Sequence, residues 1–423
     1  MSGPIFWRRG QWSTLIGLLC CSISSCAVDT VPVRATGYDV SVTRLAMSDG
    51  PAWWLGKADF DQDSREDILI AGHRSVPRSR LFYGGPALEK AQLTGSWEGH
   101  AVLGQERDRH GCAVADITGN SFPDVFCTAG AEQGRGGNAH ELWENRDGQR
   151  FAPRLGHGAE EASARGRSAA FFNLDGSFPP ALATTVWGSR ADDLPNSARI
   201  WRFTGTVFEA LDTSFSDGWG GRCLVVFDIN GDGLDDLFAC AEQQGAALFL
   251  NDGQGDFEQI PLISAQLQNT WWWDIALTAG GDSGPARIAF ISRPIKEQAI
   301  HVGRFSAALK LSDEKRISCS FDRPGKENRT YCAKVVWHDF NGDGISDLYV
   351  ARRQDRASGA TGEDVDDLIL FGPQFRTYLP VPRSDVGASA HALGLDGRFI
   401  RLTAGESWTG AIDMVRVEAR ESR

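Results

Sequence analysis

Residues 228–236 read Asp228-Ile-Asn230-Gly-Asp232-Gly-Leu234-Asp-Asp236, and residues 339–347 read Asp339-Phe-Asn341-Gly-Asp343-Gly-Ile345-Ser-Asp347. Both stretches place side-chain oxygens at positions 1, 3, 5 and 9, and both leave a backbone carbonyl available at position 7. This set suits a hard cation with many oxygen ligands, and Ca²⁺ takes about six to eight of them. The pattern therefore predicts two calcium-binding loops.

A third copy reads Asp59-Phe-Asp61-Gln-Asp63-Ser-Arg65-Glu-Asp67, which keeps the four side-chain oxygens and lacks the glycine. A short apolar segment follows each copy, at residues 68–70, 237–239 and 348–350, and predicts a β-strand. An EF-hand is excluded because its loop needs a Glu at position 12 and a helix on each side. The alternative to a calcium loop is a solvated acidic turn that holds no metal.

The loop recurs along the chain with a spacing of roughly 55 residues. Weaker copies keep part of the oxygen set, and the aligned first positions are Asp59, Asp116, Phe171, Asp228, Leu277 and Asp339. Residues 391–402 indicate a seventh unit. Each unit also contains a later strand and Gly-containing turn, as in residues 142–151 and 248–257, so one unit holds about four short strands. Seven such units predict an all-β fold, a seven-bladed β-propeller.

These loops, the Asp-Leu-Phe or Asp-Leu-Tyr strands after them and the Asn-Asp-Gly-x-Gly-x-Phe turn resemble FG-GAP/VCBS repeats, the blade type of integrin α-subunit heads. The resemblance covers roughly Tyr38 to Glu418 and implies a seven-bladed propeller with Ca²⁺ in loops on one face. The expected metal ligands are Asp59, Asp61, Asp63 and Asp67 in the first loop, Asp228, Asn230, Asp232, the Leu234 carbonyl and Asp236 in the fourth, and Asp339, Asn341, Asp343, the Ile345 carbonyl and Asp347 in the sixth.

The N-terminus has the features of an export signal. Arg8 and Arg9 precede the short apolar run 15–21, which is too short to span a bilayer. Residues 23–26, Ile-Ser-Ser-Cys, resemble a bacterial lipobox with a lipid on Cys26; the alternative is a plain signal peptide. The predicted organisation is a signal peptide at 1–26, a linker at 27–37 and the propeller at 38–420. The expected location is periplasmic, or the outer membrane or cell surface as a lipoprotein, and otherwise secreted.

Charge and cysteine content agree with export. The formal net charge of −12 argues against non-specific binding to nucleic acid, and a lipid on Cys26 is the one membrane contact expected. Six cysteines lie outside the signal, and an even number in an exported chain favours disulfides over buried thiols, which are the alternative. From their places around the loops we predict the pairs Cys112–Cys127, Cys223–Cys240 and Cys319–Cys332.

The innermost strand of each predicted blade begins on the face opposite the calcium loops. Aromatic and basic residues gather at these strand beginnings, and a ligand-facing rim is expected from Trp53, Arg109, His110, Arg167, Trp219, Arg222, Trp271 and Arg329. Arginine binds carboxylate, sulfate or phosphate with two donors, and tryptophan stacks on sugar rings. The alternative is structural: the tryptophans wedge between blades and the arginines pair with nearby Asp or Glu.

The sequence contains no G-x-S-x-G elbow, P-loop or H-E-x-x-H motif. We therefore expect a non-enzymatic, exported, calcium-binding propeller that binds a glycan, a peptide or an envelope protein. One alternative is a propeller-type polysaccharide lyase or hydrolase, because the acids and bases of such an enzyme come from separate blades and leave no linear motif. Another is an architectural module of a larger envelope complex.

Overall fold

The structure is a computed structural model of the chain. It describes residues 28–29, 31–48, 52–72, 79–104, 107–130, 139–161, 165–187, 196–216, 218–221, 223–241, 245–261, 271–280, 284–293, 298–306, 308–322, 330–354, 365–383, 388–404 and 410–420. The predicted signal peptide and lipobox, with Cys26, lie outside the described residues.

The described residues form strands almost throughout, with one helix, α1 (Gly85–Thr94). The strands in chain order are β1 (Val28–Asp29), β2 (Val33–Arg34), β3 (Tyr38–Ser48), β4 (Ala52–Ala58), β5 (Asp67–Gly72), β6 (Arg80–Phe82), β7 (His100–Ala101), β8 (Arg109–Ala115), β9 (Asp124–Ala129), β10 (Glu141–Asn145), β11 (Phe151–Arg154), β12 (Arg165–Phe172), β13 (Ala181–Trp187), β14 (Ser197–Phe203), β15 (Phe208–Leu211), β16 (Cys223–Phe227), β17 (Asp236–Ala241), β18 (Gly245–Asn251), β19 (Phe257–Pro261), β20 (Trp271–Gly280), β21 (Gly284–Arg293), β22 (Ala299–Phe305), β23 (Leu311–Ser318), β24 (Thr330–His338), β25 (Asp347–Gln354), β26 (Asp367–Leu370), β27 (Thr377–Val381), β28 (Ala388–Leu395), β29 (Arg398–Ala404) and β30 (Gly410–Ala419).

Seven sheets of four or five strands make seven blades. Blades 1 to 4 are β4–β7, β8–β11, β12–β15 and β16–β19; blade 5 is β20–β23 with β1, blade 6 is β24–β27 with β2, and blade 7 is β28–β30 with β3. The first strand of each blade packs against the first strand of the next, and β28 packs against β4, so the ring is closed. The seven-bladed propeller predicted from the repeat is confirmed.

The ring closes through an N-terminal strand placed in the last blade. β3 pairs with β30 over its whole length, from Tyr38 opposite Ala419 to Ser48 opposite Gly410. α1 covers this seam, because its Leu88 and Ala91 lie in the same buried cluster as Leu45 of β3. Hydrogen bonds and apolar burial therefore join the two ends of the propeller.

The segment before β3 also pairs with the blades. β1 runs parallel to β23 at the outer edge of blade 5, and β2 runs parallel to β27 at the outer edge of blade 6. Residues 28–29 and 31–48, here called the N-terminal belt, thus pass along the outer edges of blades 5, 6 and 7 in turn. The segment expected as a linker, 27–37, contains two short strands.

Three disulfides join the predicted cysteine pairs, and all three predictions are confirmed. Cys112 is opposite Cys127 in the β8–β9 pair, and Cys223 is opposite Cys240 in the β16–β17 pair. The third, Cys319–Cys332, links the end of blade 5 to β24. Disulfides persist in oxidising compartments, so they indicate an exported environment. Among the described residues no helix has the length and apolar character needed to cross a membrane.

Candidate metal-binding loops

Nine-residue loops join the first and second strands of blades 1, 2, 4 and 6. Position 1 follows directly on the first strand, and position 9 is the first residue of the second strand. Because the first strands of all blades run in the same direction around the ring, these loops lie on one face. The local sequence thus places four acidic loops together.

The carboxylate at position 1 accepts hydrogen bonds from backbone N–H groups of its own loop. In blade 4 the Asp228 side chain accepts the backbone N–H groups of Gly231 at 2.7 Å and Gly233 at 3.0 Å. In blade 6 Asp339 accepts those of Gly342 and Gly344 in the same way, at 2.8 and 2.9 Å. The two intact copies therefore share one backbone frame as well as one sequence.

Blade 1 adopts this frame without the glycines. Gly231 and Gly233 of blade 4 have φ of 77° and 86°, a left-handed conformation that glycine tolerates. Gln62 and Ser64 occupy the matching positions in blade 1 with φ of 62° and 67°, although such a conformation costs a residue with a side chain roughly 1–2 kcal/mol. The loop conformation is thus imposed by its hydrogen bonds rather than by the glycine alone.

The buried Asp at position 9 has a structural role that the sequence did not reveal. One carboxylate oxygen of Asp236 accepts the N–H of Ile229 at position 2, and the other accepts the N–H of Asn251 at the end of β18, both at 2.9 Å. The same two contacts recur at the three other position-9 residues, Asp67, Asp124 and Asp347. Position 9 therefore fastens the loop to the turn between the third and fourth strands.

Burial of these carboxylates has an electrostatic cost. Burial raises the pKa of Asp67 to about 7, with smaller contributions from the charges of Asp61 and Asp63. Burial likewise raises the pKa of Asp236 and of Asp347 to about 6, each with help from the carboxylates at positions 1 and 5 of its own loop. The backbone N–H groups oppose the rise without cancelling it, so the loops carry negative charge that the chain does not neutralise.

The donor set fits a hard cation. In blade 1 one carboxylate oxygen from each of Asp59, Asp61 and Asp67 lies within 4.8 Å of the others. In blades 4 and 6 the residue at position 3 is an asparagine, and Asn230 donates its amide to Asp232 at 2.8 Å. Carboxylate and amide oxygens are the ligands that Ca²⁺ prefers, and no thiol or imidazole joins the sets named here.

An asparagine at the end of the third strand joins neighbouring blades. The Asn145 amide of blade 2 donates to the carbonyl of Phe60, at position 2 of the blade 1 loop, at 2.9 Å. The Asn251 amide of blade 4 donates to Leu174, at the equivalent place in blade 3, at 2.7 Å. The local sequence predicts only a turn at these asparagines; their shared place as the last residue of the third strand was the signal for a contact between blades.

Comparison with known proteins agrees with this architecture. The profile of the FG-GAP-like repeat family matches residues 228–280, which begin at position 1 of the blade 4 loop. The chain is a seven-bladed β-propeller that contains an FG-GAP-like repeat. No curated protein matches it.

Solved structures similar to this FG-GAP propeller include BBS1N in complex with ARL6DN, with a TM-score of 0.52, 11% identity, and coverage of 92% of this chain and 98% of that one. The Pan2 WD40 domain of Neurospora crassa is also similar, with a TM-score of 0.51, 9% identity, and coverage of 93% of this chain and 99% of that one. At this identity the likeness shows the propeller fold.

Three loops of the FG-GAP propeller depart from the pattern. In blade 3 the first strand ends at Phe172, so position 1 is Asn173 and not Phe171 as the sequence alignment expected. The Gly176 N–H donates to the Asn173 side chain at 2.7 Å, as Gly231 does to Asp228. In blade 7 a short turn replaces the loop, since Leu395 pairs with Arg398, and in blade 5 Gly280 pairs with Gly284, which leaves too few residues between the strands for a nine-residue loop.

The expected ligand-facing rim is different in the structure. Arg109 is fully buried and donates to Glu141 of its own blade at 2.7 Å and to the Leu103 carbonyl of blade 1 at 2.7 Å. His110 is buried beside the Gly166 carbonyl of blade 3, at 3.1 Å from Nδ1. These two residues join blades instead of lining an open mouth.

Arg167 and Trp219 are also interior. The Arg167 guanidinium lies 3.5 Å from the centre of the Trp187 ring, and the Trp219 ring meets Phe249 edge-on at 5.0 Å. For these four rim residues the structure corrects the expected exposure, and the contacts of Arg109 with Glu141 and of Trp219 with Phe249 agree with the structural alternative. Arg222 and Arg329 lie outside the described residues, as do the side chains of Trp53 and Trp271, so ligand contact there remains a prediction.

Proposed function

We propose that this protein is an exported, calcium-binding β-propeller that serves as a ligand- or protein-binding module. The observation that carries the proposal is the set of acidic loops on one face, in which three carboxylates of blade 1 converge within 4.8 Å. A cation that binds the folded loops and not the unfolded chain stabilises the fold. The expected ligands are those of blades 1, 4 and 6, and the calcium would supply the positive charge these loops lack.

The binding role is supported by the architecture. A closed ring of blades presents rigid loops on two faces, and loops on a rigid scaffold are common binding sites. One structural neighbour, BBS1N, was solved as a complex with ARL6DN, which shows that a propeller of this shape can hold a protein partner. We infer a protein, peptide or glycan ligand in the cell envelope, with membrane attachment through a lipid on Cys26.

Calorimetric titration of the purified protein with Ca²⁺ tests the metal. We expect saturable binding that falls to the single site of blade 1 when Asp232 and Asp343 are both replaced by Ala, and that is fully retained when Asp175 of blade 3 is replaced by Ala. Asp175 is the matched control because its carboxylate already pairs with Arg202 at 2.8 Å. Titration that shows no heat, together with a melting temperature unaffected by chelator, would refute the metal role.

A glycan and peptide array, probed with the full chain in Ca²⁺ and in chelator, tests the binding role. Calcium-dependent retention on one ligand class supports the proposal, and any glycan that binds becomes a substrate with which to assay the lyase or hydrolase alternative. If no ligand class binds, and no envelope protein is recovered by crosslinking in the native membrane, the binding role is rejected while the calcium result stands.

A further inference from the structure

The N-terminal belt determines where the chain reaches the propeller. Val28 of β1 is opposite Lys315, and Asp29 is opposite Arg316, at the outer edge of blade 5. Cys26 is two residues before Val28 in the sequence, and two residues span at most about 7 Å. Any group attached to Cys26 is therefore held beside blade 5, and the calcium loops and the central channel lie elsewhere.

The belt exposes apolar side chains at this edge. Val31 is 74% exposed and Val33 is 68% exposed, whereas Pro32 between them is buried against the blades. The backbone is held in place, because the Val33 N–H donates to the Arg376 carbonyl at 2.8 Å. Two valines that point outward from a fixed strand form a small apolar ridge.

Basic side chains lie along the outer edge of blades 5 and 6, although the chain as a whole carries a formal charge of −12, and the Lys315 ammonium donates to the Gln374 carbonyl at 2.9 Å. Arg34, Lys310 and Arg376 are exposed, and Lys315 and Arg316 are half-buried on β23. The nearby acidic residues are Asp29 of β1 and Asp313 and Glu314 of β23, whose side chains lie outside the described residues. Cationic residues next to an apolar ridge match the boundary of an anionic lipid bilayer, where each basic side chain strengthens attraction to the surface.

We propose that the outer edge of blades 5 and 6 lies against an anionic phospholipid surface, so that the propeller stands edge-on to the membrane. The inference rests on the proposed lipidation of Cys26 and adds an orientation to it. A lipid anchor acts at one point, and a second contact through basic residues is what holds a protein in one orientation. Both loop faces then point sideways, along the membrane, toward envelope partners.

Amine-reactive footprinting of the lipidated protein on vesicles tests the orientation. The probe is phosphatidylcholine vesicles with about one third phosphatidylglycerol. We expect labelling of Lys310 to fall several-fold on attachment, while labelling of Lys90, which is exposed on α1, stays unchanged. Equal labelling of the two lysines on attached protein would overturn the orientation and leave the lipoprotein proposal intact. The mass of the N-terminal peptide tests lipidation separately.

Unlipidated protein, made by Cys26→Ser, tests the surface itself. We expect weak, salt-sensitive binding to the anionic vesicles and none to phosphatidylcholine alone. Replacement of Arg34 and Arg376 by Gln should weaken it about 25-fold, or fivefold for each charge. The matched control is Arg150→Gln on blade 2, where the side chain is 79% exposed. Equal weakening by the control, or no binding to anionic vesicles, would overturn the proposal.

Discussion

The loops of blades 3 and 4 are neighbours that share a hydrogen bond from position 4 to position 1 and have opposite electrostatics. In blade 4 the buried carboxylate of Asp236 has a pKa raised to about 6, chiefly by burial. In blade 3 position 9 is Ala181, and the remaining Asp175 has a lowered pKa, because the Ser177 hydroxyl and then the Arg202 guanidinium stabilise its charge. The blade 4 loop thus accumulates negative charge, whereas in blade 3 an arginine of the same blade neutralises the carboxylate.

The comparison separates conformation from metal binding. Both loops close through a side chain at position 1 that accepts the position-4 N–H, Asn173 in blade 3 and Asp228 in blade 4, each at 2.7 Å. The loops are also joined, because the Asn173 N–H donates to Asp235 at 2.7 Å. This first turn forms in blade 3 without clustered carboxylates, so the turn does not require them. Their accumulation in blades 1, 4 and 6 therefore favours a role in binding a cation.

The largest expected effect is that of calcium removal. At a calcium concentration one hundred times the Kd, each occupied site adds about 2.7 kcal/mol to the free energy of unfolding. With sites in blades 1, 4 and 6, we expect chelator to lower the melting temperature strongly, as measured by calorimetry. Asp175→Ala should leave that difference unchanged, because blade 3 is not expected to bind metal. If Asp175→Ala abolished the effect of chelator, the metal would be bound in blade 3, contrary to the comparison of blades 3 and 4.

Truncation at position 9 is expected to have the next largest effect. Asp236→Ala leaves the N–H groups of Ile229 and Asn251 without their acceptor, which costs about 2–4 kcal/mol before any loss of metal. Asp175→Ala removes a partly exposed ion pair and should cost no more than about 1 kcal/mol. Urea denaturation measures both variants. Equal losses would mean that the two buried hydrogen bonds of Asp236 stabilise the fold no more than the surface ion pair of Asp175 does.

The sequence predicted the parts of this architecture that depend on neighbouring residues. The acidic loops, the strand after each loop and the cysteine pairs, whose members are 13 to 17 residues apart, are all local in sequence, so spacing alone reveals them. The alignment failed at Asn173 because Phe171 and Phe172 belong to the strand, and an eroded loop offers too few oxygens to fix its register. The short connections of blades 5 and 7 were missed for the same reason, because these units keep too few oxygens to mark where a loop begins.

The sequence could not predict features that depend on distant residues. Burial of Arg109 requires Glu141 and the Leu103 carbonyl to lie around it, and no local pattern distinguishes such an arginine from one at an open rim. The belt strands β1 and β2 have two residues each, too few for a periodicity to appear. Both features arise from the closing of the ring, which brings separate blades together.

Loss of the contact between blades should have an intermediate effect. Asn251→Ala removes the amide that donates to Leu174 at 2.7 Å and the oxygen that accepts the Gly253 N–H at 2.9 Å. We expect a loss of about 1–3 kcal/mol in the free energy of unfolding. The loss should be equal in calcium and in chelator, because this contact does not involve the predicted ligands. A loss confined to calcium would instead place Asn251 in the metal site.

The pH dependence of stability should have one sign for the loops of blades 4 and 6 and the opposite sign for the loop of blade 3. In chelator, Asp236 and Asp347 have raised pKa values in the folded protein, so they favour folding below about pH 4, and this contribution is lost as the pH rises through 6. Asp175, with a lowered pKa, contributes above pH 4 and loses its contribution on acidification. Because calcium needs deprotonated ligands, the difference in melting temperature between calcium and chelator should grow from pH 5 to pH 8. A constant difference over that range would contradict the ligand assignment.

The smallest expected effect concerns the arginine of blade 3. Arg202→Gln removes the partner of Asp175, but the Arg202 side chain is 39% exposed, so the loss should stay below about 1 kcal/mol. The loss should be the same in calcium and in chelator, because Ala181 provides no carboxylate at position 9 with which to build a site. Thermal unfolding of this variant in both buffers measures the effect. If calcium fully restored its stability, the uncovered Asp175 would be a metal ligand, and Arg202 would take the place of the cation in the native loop of blade 3.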